Sequence, residues 1–161
     1  HELGEFAAER VFDRVAIDPR YTPSGSREEV ANAIARRLLL PRRWFRKHGL
    51  ICEWDLLELK EIFTTASHEL IARRMLDTST KWIFTLFDQG NITWRRSNFG
   101  RSAAPLLATE RECWLESHEL GLTTHGEAAD PNGGEITIHC WPVHEPDWKR
   151  EIMRMDLPDW E

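Results

Sequence analysis

The spacing of apolar residues changes once along the chain, and this change constrains the fold more than any other feature. Before about residue 77, apolar residues recur three and four positions apart, as on the buried face of a helix. Later runs such as Lys81–Phe87 and Glu135–Val143 are typical of strands separated by turn residues. The pattern therefore predicts an α+β fold, with helices first and a small antiparallel β region after them.

Two helices are predicted at the start of the chain. Apolar residues at helical spacing mark one from Glu2 to about Val15. Ser26 followed by Glu29 matches a capping box, so a second helix should begin there and end before Pro41. Its buried stripe is predicted to contain Ala31, Ile34, Ala35, Leu38 and Leu39.

A helix-turn-helix-like pair is predicted next. Asp55 can cap a helix over Leu56–Phe63, and Ser67 can cap another over His68–Leu76. The three residues between them form a turn, which is the spacing of helix-turn-helix units.

The β region is predicted to open with a hairpin. Asp88-Gln89-Gly90 stands between the strand-like runs Lys81–Phe87 and Asn91–Arg96. A helix is expected near Thr109–Leu120, and two further strands over Glu135–Val143 and Lys149–Leu157.

The composition excludes several classes of protein. The 161 residues are 41% hydrophobic and 30% charged, which is typical of a folded domain rather than a disordered chain. The net charge of −6 argues against a molecule built as a whole to sit on nucleic acid. Three widely spaced cysteines (Cys52, Cys113 and Cys140) predict reduced thiols in a cytoplasmic protein. No apolar run reaches membrane-spanning length, so no membrane partner is expected.

The chain opens on a near match to a metal-binding motif. In H-E-x-x-H, two histidines on one helix face bind zinc and the glutamate handles the proton. The string His1–Glu5 reads HELGE, so Glu5 replaces the second histidine as a possible ligand one turn after His1. His-Glu-Leu recurs at His68 and His118, but no metal-binding side chain stands four residues later.

Glu28 is the candidate for a third ligand. It lies three residues before Ala31 and seven before Ala35, so it is predicted to share their buried face. A carboxylate aimed at the core needs a partner, and a metal is one. The alternative is an ordinary acidic residue that interacts favourably with the helix dipole. Glu29 is instead assigned to the capping box.

The stretch Glu28–Pro41, EEVANAIARRLLLP, resembles the E-x-x-A-N-x-F-A-x-x-L-L-M-P signature of ImmA/IrrE-type metallo-endopeptidases. In that family an H-E-x-x-H helix precedes the signature and a helix-turn-helix-like pair follows it. The order of elements here matches through about Asp77. The resemblance implies a zincin-like peptidase core over residues 1–50, a helix-turn-helix-like pair over 51–80 and a β-rich extension over 81–161.

The resemblance also implies a catalytic site. His1 and Glu28 match metal-ligand positions, Glu5 takes the place of the second histidine, and Glu2 matches the general base. The expected cofactor is zinc, with manganese or iron possible because Glu5 adds an oxygen ligand. The expected partner is a protein or peptide substrate, in particular a regulator, cleaved by metal-activated water. Because the family has a strand-containing region before this helix, the sequence is interpreted as a fragment of a longer protein.

The rival hypothesis is a catalytically degenerate scaffold that binds DNA or protein. DNA binding would use the cations around Pro41 together with Arg73 and Arg74 of the helix-turn-helix-like pair. The cations around Pro41 are Arg36, Arg37, Arg42, Arg43, Arg46 and Lys47. The alternative interpretation is that these residues cover the solvent-facing sides of short helices.

Three potential metal ligands near the end of the chain are predicted to be structural. His139 and Cys140 are neighbours in a predicted strand, so their side chains should face opposite sides of the sheet. His144 follows close behind and is also assigned a structural role. A copper site at His1 is disfavoured, because the helical pattern after it does not match the β-sandwiches that carry such sites.

Overall fold

A computed structural model describes residues 2–16, 18, 25–100, 103–130 and 133–158, without the side chains of residues 2–5 and 27. The predicted helices and strands occur in the predicted order, together with one further helix and one further strand. The helices are α1 (Glu2–Arg14), α2 (Ser26–Leu39), α3 (Arg42–Ile51), α4 (Leu56–Ile62), α5 (His68–Met75) and α6 (Ala108–Leu120). The strands are β1 (Trp82–Asp88), β2 (Asn91–Ser97), β3 (Thr124–Ala129), β4 (Glu135–Pro142) and β5 (Arg150–Asp156). The α+β class is therefore confirmed. No helix within the described ranges is long and apolar enough to span a membrane.

The caps of the helix-turn-helix-like pair are confirmed. The Asp55 carboxylate accepts hydrogen bonds from the backbone N–H groups of Leu57 and Glu58, at 2.9 and 3.0 Å. The Ser67 hydroxyl accepts from the N–H of Leu70 at 3.1 Å. These bonds satisfy N–H groups that a helix start leaves without partners, so α4 and α5 begin where the sequence predicts.

The start of α2 differs from the prediction. Gly25 is the N-cap, in a left-handed conformation with φ 93°, and no side chain caps the helix. Ser26 is already helical, so the predicted capping box with Glu29 is wrong. The predicted stripe is also only partly buried, since Ala31 is covered whereas Leu38 is 60% exposed.

Helix α3 was not predicted. Pro41 precedes it and fixes the backbone before its first turn. Six of its ten residues are charged, histidine or glycine, and only Phe45 and Gly49 are buried. An apolar face this narrow gives little helical periodicity to detect.

The strands form one antiparallel sheet in the order β2-β1-β5-β4-β3. The predicted hairpin is confirmed, because Asp88 pairs with Asn91 around a two-residue turn. Gln89 and Gly90 both have positive φ, 49° and 80°, which suits the tight turns that join twisted strands. The sequence did not predict β3, whose six residues THGEAA lack large apolar side chains.

The sheet is covered on both faces. One face packs Trp82, Phe84 and Trp141 against α3, α4 and α5, in a core that also contains Leu56 and Ile71. These side chains are all less than 2% exposed. Burying each one stabilises the fold by roughly 1.5–3 kcal/mol.

Helix α6 covers the other face. Its Cys113 packs in a core with Ile83, Ile138, Cys140 and other side chains. Gly126 of β3 lies directly beneath Cys113, so a Cβ at this position would collide with the cysteine sulfur. The edge strand can therefore approach α6 closely only because residue 126 has no side chain.

Candidate functional site

Most of the predicted metal site lies outside the described residues. His1 is not described, and neither are the side chains of Glu2 and Glu5, although the latter two belong to α1. Glu28 stands in the first turn of α2 and is exposed. Its predicted burial beside Ala31 is therefore wrong, because that turn presents the carboxylate to solvent. Among the described residues, no three histidine, cysteine, aspartate or glutamate side chains are arranged so that they could hold a metal ion.

A cleft lies between the α3–α4 connection and one end of the sheet. Its volume is about 630 Å³. Glu53, which lines this cleft, and the adjacent Trp54 have positive φ of 50° and 61°. Such backbone is uncommon for residues other than glycine, and it persists only where the surrounding structure holds it. Here the Trp54 ring packs edge-on against Phe45 and Trp82.

Arg154 forms the floor of this cleft and is only 3% exposed. Its guanidinium donates two hydrogen bonds to Asp156, at 2.6 and 2.9 Å, and one to the carbonyl of Trp54 at 2.6 Å. It also lies 5.4 Å from the ring centres of both Trp82 and Trp141. A buried cation needs such compensation, so Arg154 fixes the Glu53–Trp54 connection onto the sheet.

Two histidines line the same cleft. The Nδ1 atoms of His125 and His139 are 2.9 Å apart, so one ring donates a proton to the other. Burial lowers the pKa of His139 to about 4, and the nearby Arg154 acts in the same direction. His139 is therefore neutral at neutral pH. Partial burial raises the pKa of Asp156, against the effect of Arg154.

His139 and Cys140 do face opposite sides of the sheet, as predicted. The His139 ring stacks on Trp141 at an interplanar angle of 10°. Cys140 is fully buried in the core under α6, and this burial raises the pKa of its thiol to about 12. The thiol is therefore protonated and unreactive at neutral pH.

A second polar cluster surrounds Glu151 on β5, which is fully buried. Its carboxylate accepts a hydrogen bond from the indole N–H of Trp114 at 3.1 Å. His118 Nδ1 lies 3.0 Å and His144 Nε2 2.6 Å from the same carboxylate oxygen. Three hydrogen-bonding groups thus compensate one buried acid and connect α6 to the β4–β5 connection.

The arginines of α5 do not form the exposed face that the DNA hypothesis required. Arg74 is 6% exposed, and it donates to the carbonyl of Leu40 at 3.0 Å and to Asp77 at 2.6 Å. Arg73 pairs with Glu69 at 2.9 Å. Every residue of α5 is at least partly buried. That part of the prediction is wrong, because α5 is enclosed by α4 and the sheet.

The site residues that the sequence did not reveal lie mostly on β5. Glu151 and Arg154 stand three residues apart within the run REIMRMD, with Ile152 and Met153 between them. Charged residues inside a strand usually mark its solvent face. Because β5 is the middle strand of a sheet covered on both faces, the charges are buried instead. The charged residues are visible in the sequence, but their burial can be inferred only from the strand order.

The fold is similar to that of a known protein. No protein-family model matches the chain, and no curated protein matches its sequence. A solved structure of a Mycobacterium tuberculosis transcriptional regulator is similar, with a TM-score of 0.66 and 16% sequence identity. The match covers 96% of this chain and 60% of that one, so this chain spans about three fifths of the regulator's length. At 16% sequence identity, the similarity shows a shared fold and nothing further.

Proposed function

We propose that this chain is part of a divalent-metal-dependent endopeptidase of the ImmA/IrrE type that acts on a protein regulator. The observation that carries the proposal is the packing of α1 against α2. Helix α1 contains most of the HELGE string, and helix α2 contains most of the stretch that resembles the family signature. The two helices lie against each other. Ala8 and Phe12 of α1 and Ala31 of α2 are buried. The printed description of the similar structure, a transcriptional regulator, is consistent with a regulatory role.

The proposed metal ligands are His1, Glu5 and Glu28, with Glu2 as general base. Of these side chains only Glu28 is described, and its carboxylate is exposed. The rest of the ligand set is supported by the resemblance. When bound, zinc, manganese or iron would supply Lewis-acid activation of water. Glu2 would hold the proton that hydrolysis releases.

Metal analysis of the purified protein tests this proposal. We expect about one divalent ion per chain, lost in Glu28→Ala and retained in Glu29→Ala, which removes an equally exposed carboxylate from the same helical turn. Glu2→Gln should keep the metal and abolish peptide hydrolysis. Glu5→His restores the ligand set of the family and should bind zinc at least as tightly as the wild type. If neither the wild type nor Glu5→His binds metal, the peptidase proposal is wrong.

The second candidate is a scaffold without catalysis that binds DNA or protein. It is favoured by the exposed cations of α3, which are separate from the enclosed arginines of α5. Binding of duplex DNA through α3 should weaken steeply as salt rises, because cations that contact phosphates release counterions. Absence of binding at low ionic strength would exclude the DNA version of this candidate.

A further inference from the structure

Helix α3 carries an unusual number of uncompensated charges. Arg42, Arg43, Arg46 and Lys47 are all exposed. None of these four side chains forms an ion pair or hydrogen bond with the described residues. By contrast, Arg74, Arg95, Arg150 and Arg154 are all paired with carboxylates.

The arrangement of these cations disfavours the helix that carries them. Arg42 and Arg43 stand in the first turn, which contains no acidic residue and where the helix dipole disfavours positive charge. Arg42 and Arg46 are four residues apart, as are Arg43 and Lys47, so like charges face each other along the helix. Folding alone gives no reason for this pattern, whereas an acidic partner would remove both penalties.

Large apolar side chains are exposed on the same helix. Trp44 is 64% exposed, Leu50 62% and Ile51 67%. Only Phe45 and Gly49 of this helix are buried. Tryptophan and arginine are the residues most enriched in the energetically dominant parts of protein interfaces. Apolar side chains among cations therefore suit a protein surface better than the phosphates of a nucleic acid.

A groove beside α3 can receive a side chain. It has a volume of about 130 Å³ and lies between α3 and residues 78–80. Phe45, Leu50 and Trp54 supply its apolar walls, and Arg42 and Arg46 lie at its edge. Residues 78–80 are held in place because the Asn98 side-chain amide donates to the carbonyls at 78 and 80. The groove is thus fixed before a partner arrives.

We propose that the exposed face of α3 binds an acidic segment of a protein partner. This basic face consists of Arg42, Arg43, Trp44, Arg46, Lys47, Leu50 and Ile51. Aspartate and glutamate side chains of the partner pair with the four cations, and an apolar side chain enters the groove. The chain as a whole carries a charge of −6, so it repels acidic molecules elsewhere and directs them to this face. The proposal involves none of the proposed metal ligands and stands independently of them.

Selection from a library of short random peptides tests the proposal. Peptides selected on the wild-type chain should be enriched in aspartate and glutamate interspersed with leucine or phenylalanine. Their affinity should fall roughly tenfold or more in Arg43→Glu/Lys47→Glu and in Trp44→Ser. Arg111→Glu on α6 is the matched control, because Arg111 is exposed and unpaired among the described residues. It should leave the affinity within about twofold, and circular dichroism should confirm that each variant is folded.

Two outcomes would overturn the proposal. One is a selection without acidic enrichment, or peptides that bind the α3 variants and the Arg111→Glu control equally well. The other is a short DNA duplex that binds more tightly than any peptide and is lost in Arg43→Glu/Lys47→Glu but not in Trp44→Ser. That second result would assign the basic face to nucleic acid.

Discussion

The α1–α2 pair and the body formed by α3–α6 with the sheet bury their apolar residues to very different extents. In the pair, Phe12 is covered, but Phe6 is 56% and Val15 55% exposed. In the body, Trp82 and Trp141 are at most 1% exposed. Both regions show apolar residues at regular spacing. Amphipathic spacing therefore predicts that a helix forms, but not that its apolar face is covered by the rest of the same chain.

Two arginines form contacts between the two regions. Arg74 of α5 donates to the carbonyl of Leu40, the C-cap of α2, at 3.0 Å. Arg36 of α2 lies 3.4 Å from the carboxylate of Asp77. Besides these polar contacts, Leu40 at the end of α2 is buried in the core of the body. We expect α1 and the rest of α2 to unfold separately from the body, because their own apolar residues are largely exposed.

The largest expected effect comes from removing a core ring of the body. Trp141→Ala should destabilise the protein by about 4 kcal/mol, because it leaves a cavity and removes the indole donor to Asp55. Phe12→Ala in the α1–α2 pair should leave the main unfolding transition nearly unchanged. Urea unfolding followed by tryptophan fluorescence measures both. Equal shifts of that transition would show that the two regions unfold as one unit.

The buried acid of the body should give the next largest effect. Glu151→Ala leaves three hydrogen-bonding groups without their acceptor and should cost about 2–3 kcal/mol. Glu28→Ala removes an exposed carboxylate from the α1–α2 pair and should change stability by less than about 0.5 kcal/mol. The same urea experiment compares them. A Glu151→Ala protein as stable as the wild type would mean that the cluster contributes nothing to the body.

His139 should make the stability of the body depend on pH. Its pKa is about 4 in the folded protein and ordinarily 6.5, so between these values the unfolded chain binds the proton more readily. Stability should therefore fall as pH is lowered through this window. His139→Gln should reduce the loss between pH 7 and pH 5 by on the order of 1 kcal/mol. Some pH dependence should remain, because burial also lowers the pKa of His68. Identical pH profiles for variant and wild type would contradict the assignment.

Local signals predicted much of the fold. The caps at Asp55 and Ser67 and the turn at Gln89-Gly90 depend on a few neighbouring residues, and all three are confirmed. Strand β3 escaped prediction because it is stabilised by its pairing with β4 and by α6 above Gly126, rather than by its own side chains. Which residues interact across the sheet depends on the strand order, which no short motif contains.

The candidate sites likewise contain some residues that local sequence signals identify and others that depend on the strand order. The cleft residues His125, His139 and Arg154 come from three strands, and Asp55 comes from the start of α4. They are up to a hundred residues apart in sequence, as in the bond from Arg154 to the carbonyl of Trp54. No spacing rule joins them. The proposed metal ligands could be named because the family signature that the sequence resembles is local, and their test remains an experiment.

The smallest expected effect compares one serine in each region. Ser67 caps α5 by accepting from the N–H of Leu70, so Ser67→Ala should cost about 1 kcal/mol. Ser26 looked like the same kind of cap in the sequence, but Gly25 occupies the N-cap and no side chain caps α2. Ser26→Ala should therefore change stability by no more than about a few tenths of a kcal/mol, because alanine is also the better helix former. Urea midpoints of the two variants, measured on one preparation, give the comparison. A loss for Ser26→Ala as large as that for Ser67→Ala would mean that the serine hydroxyl caps α2 in solution, and that the two regions begin their helices by the same device.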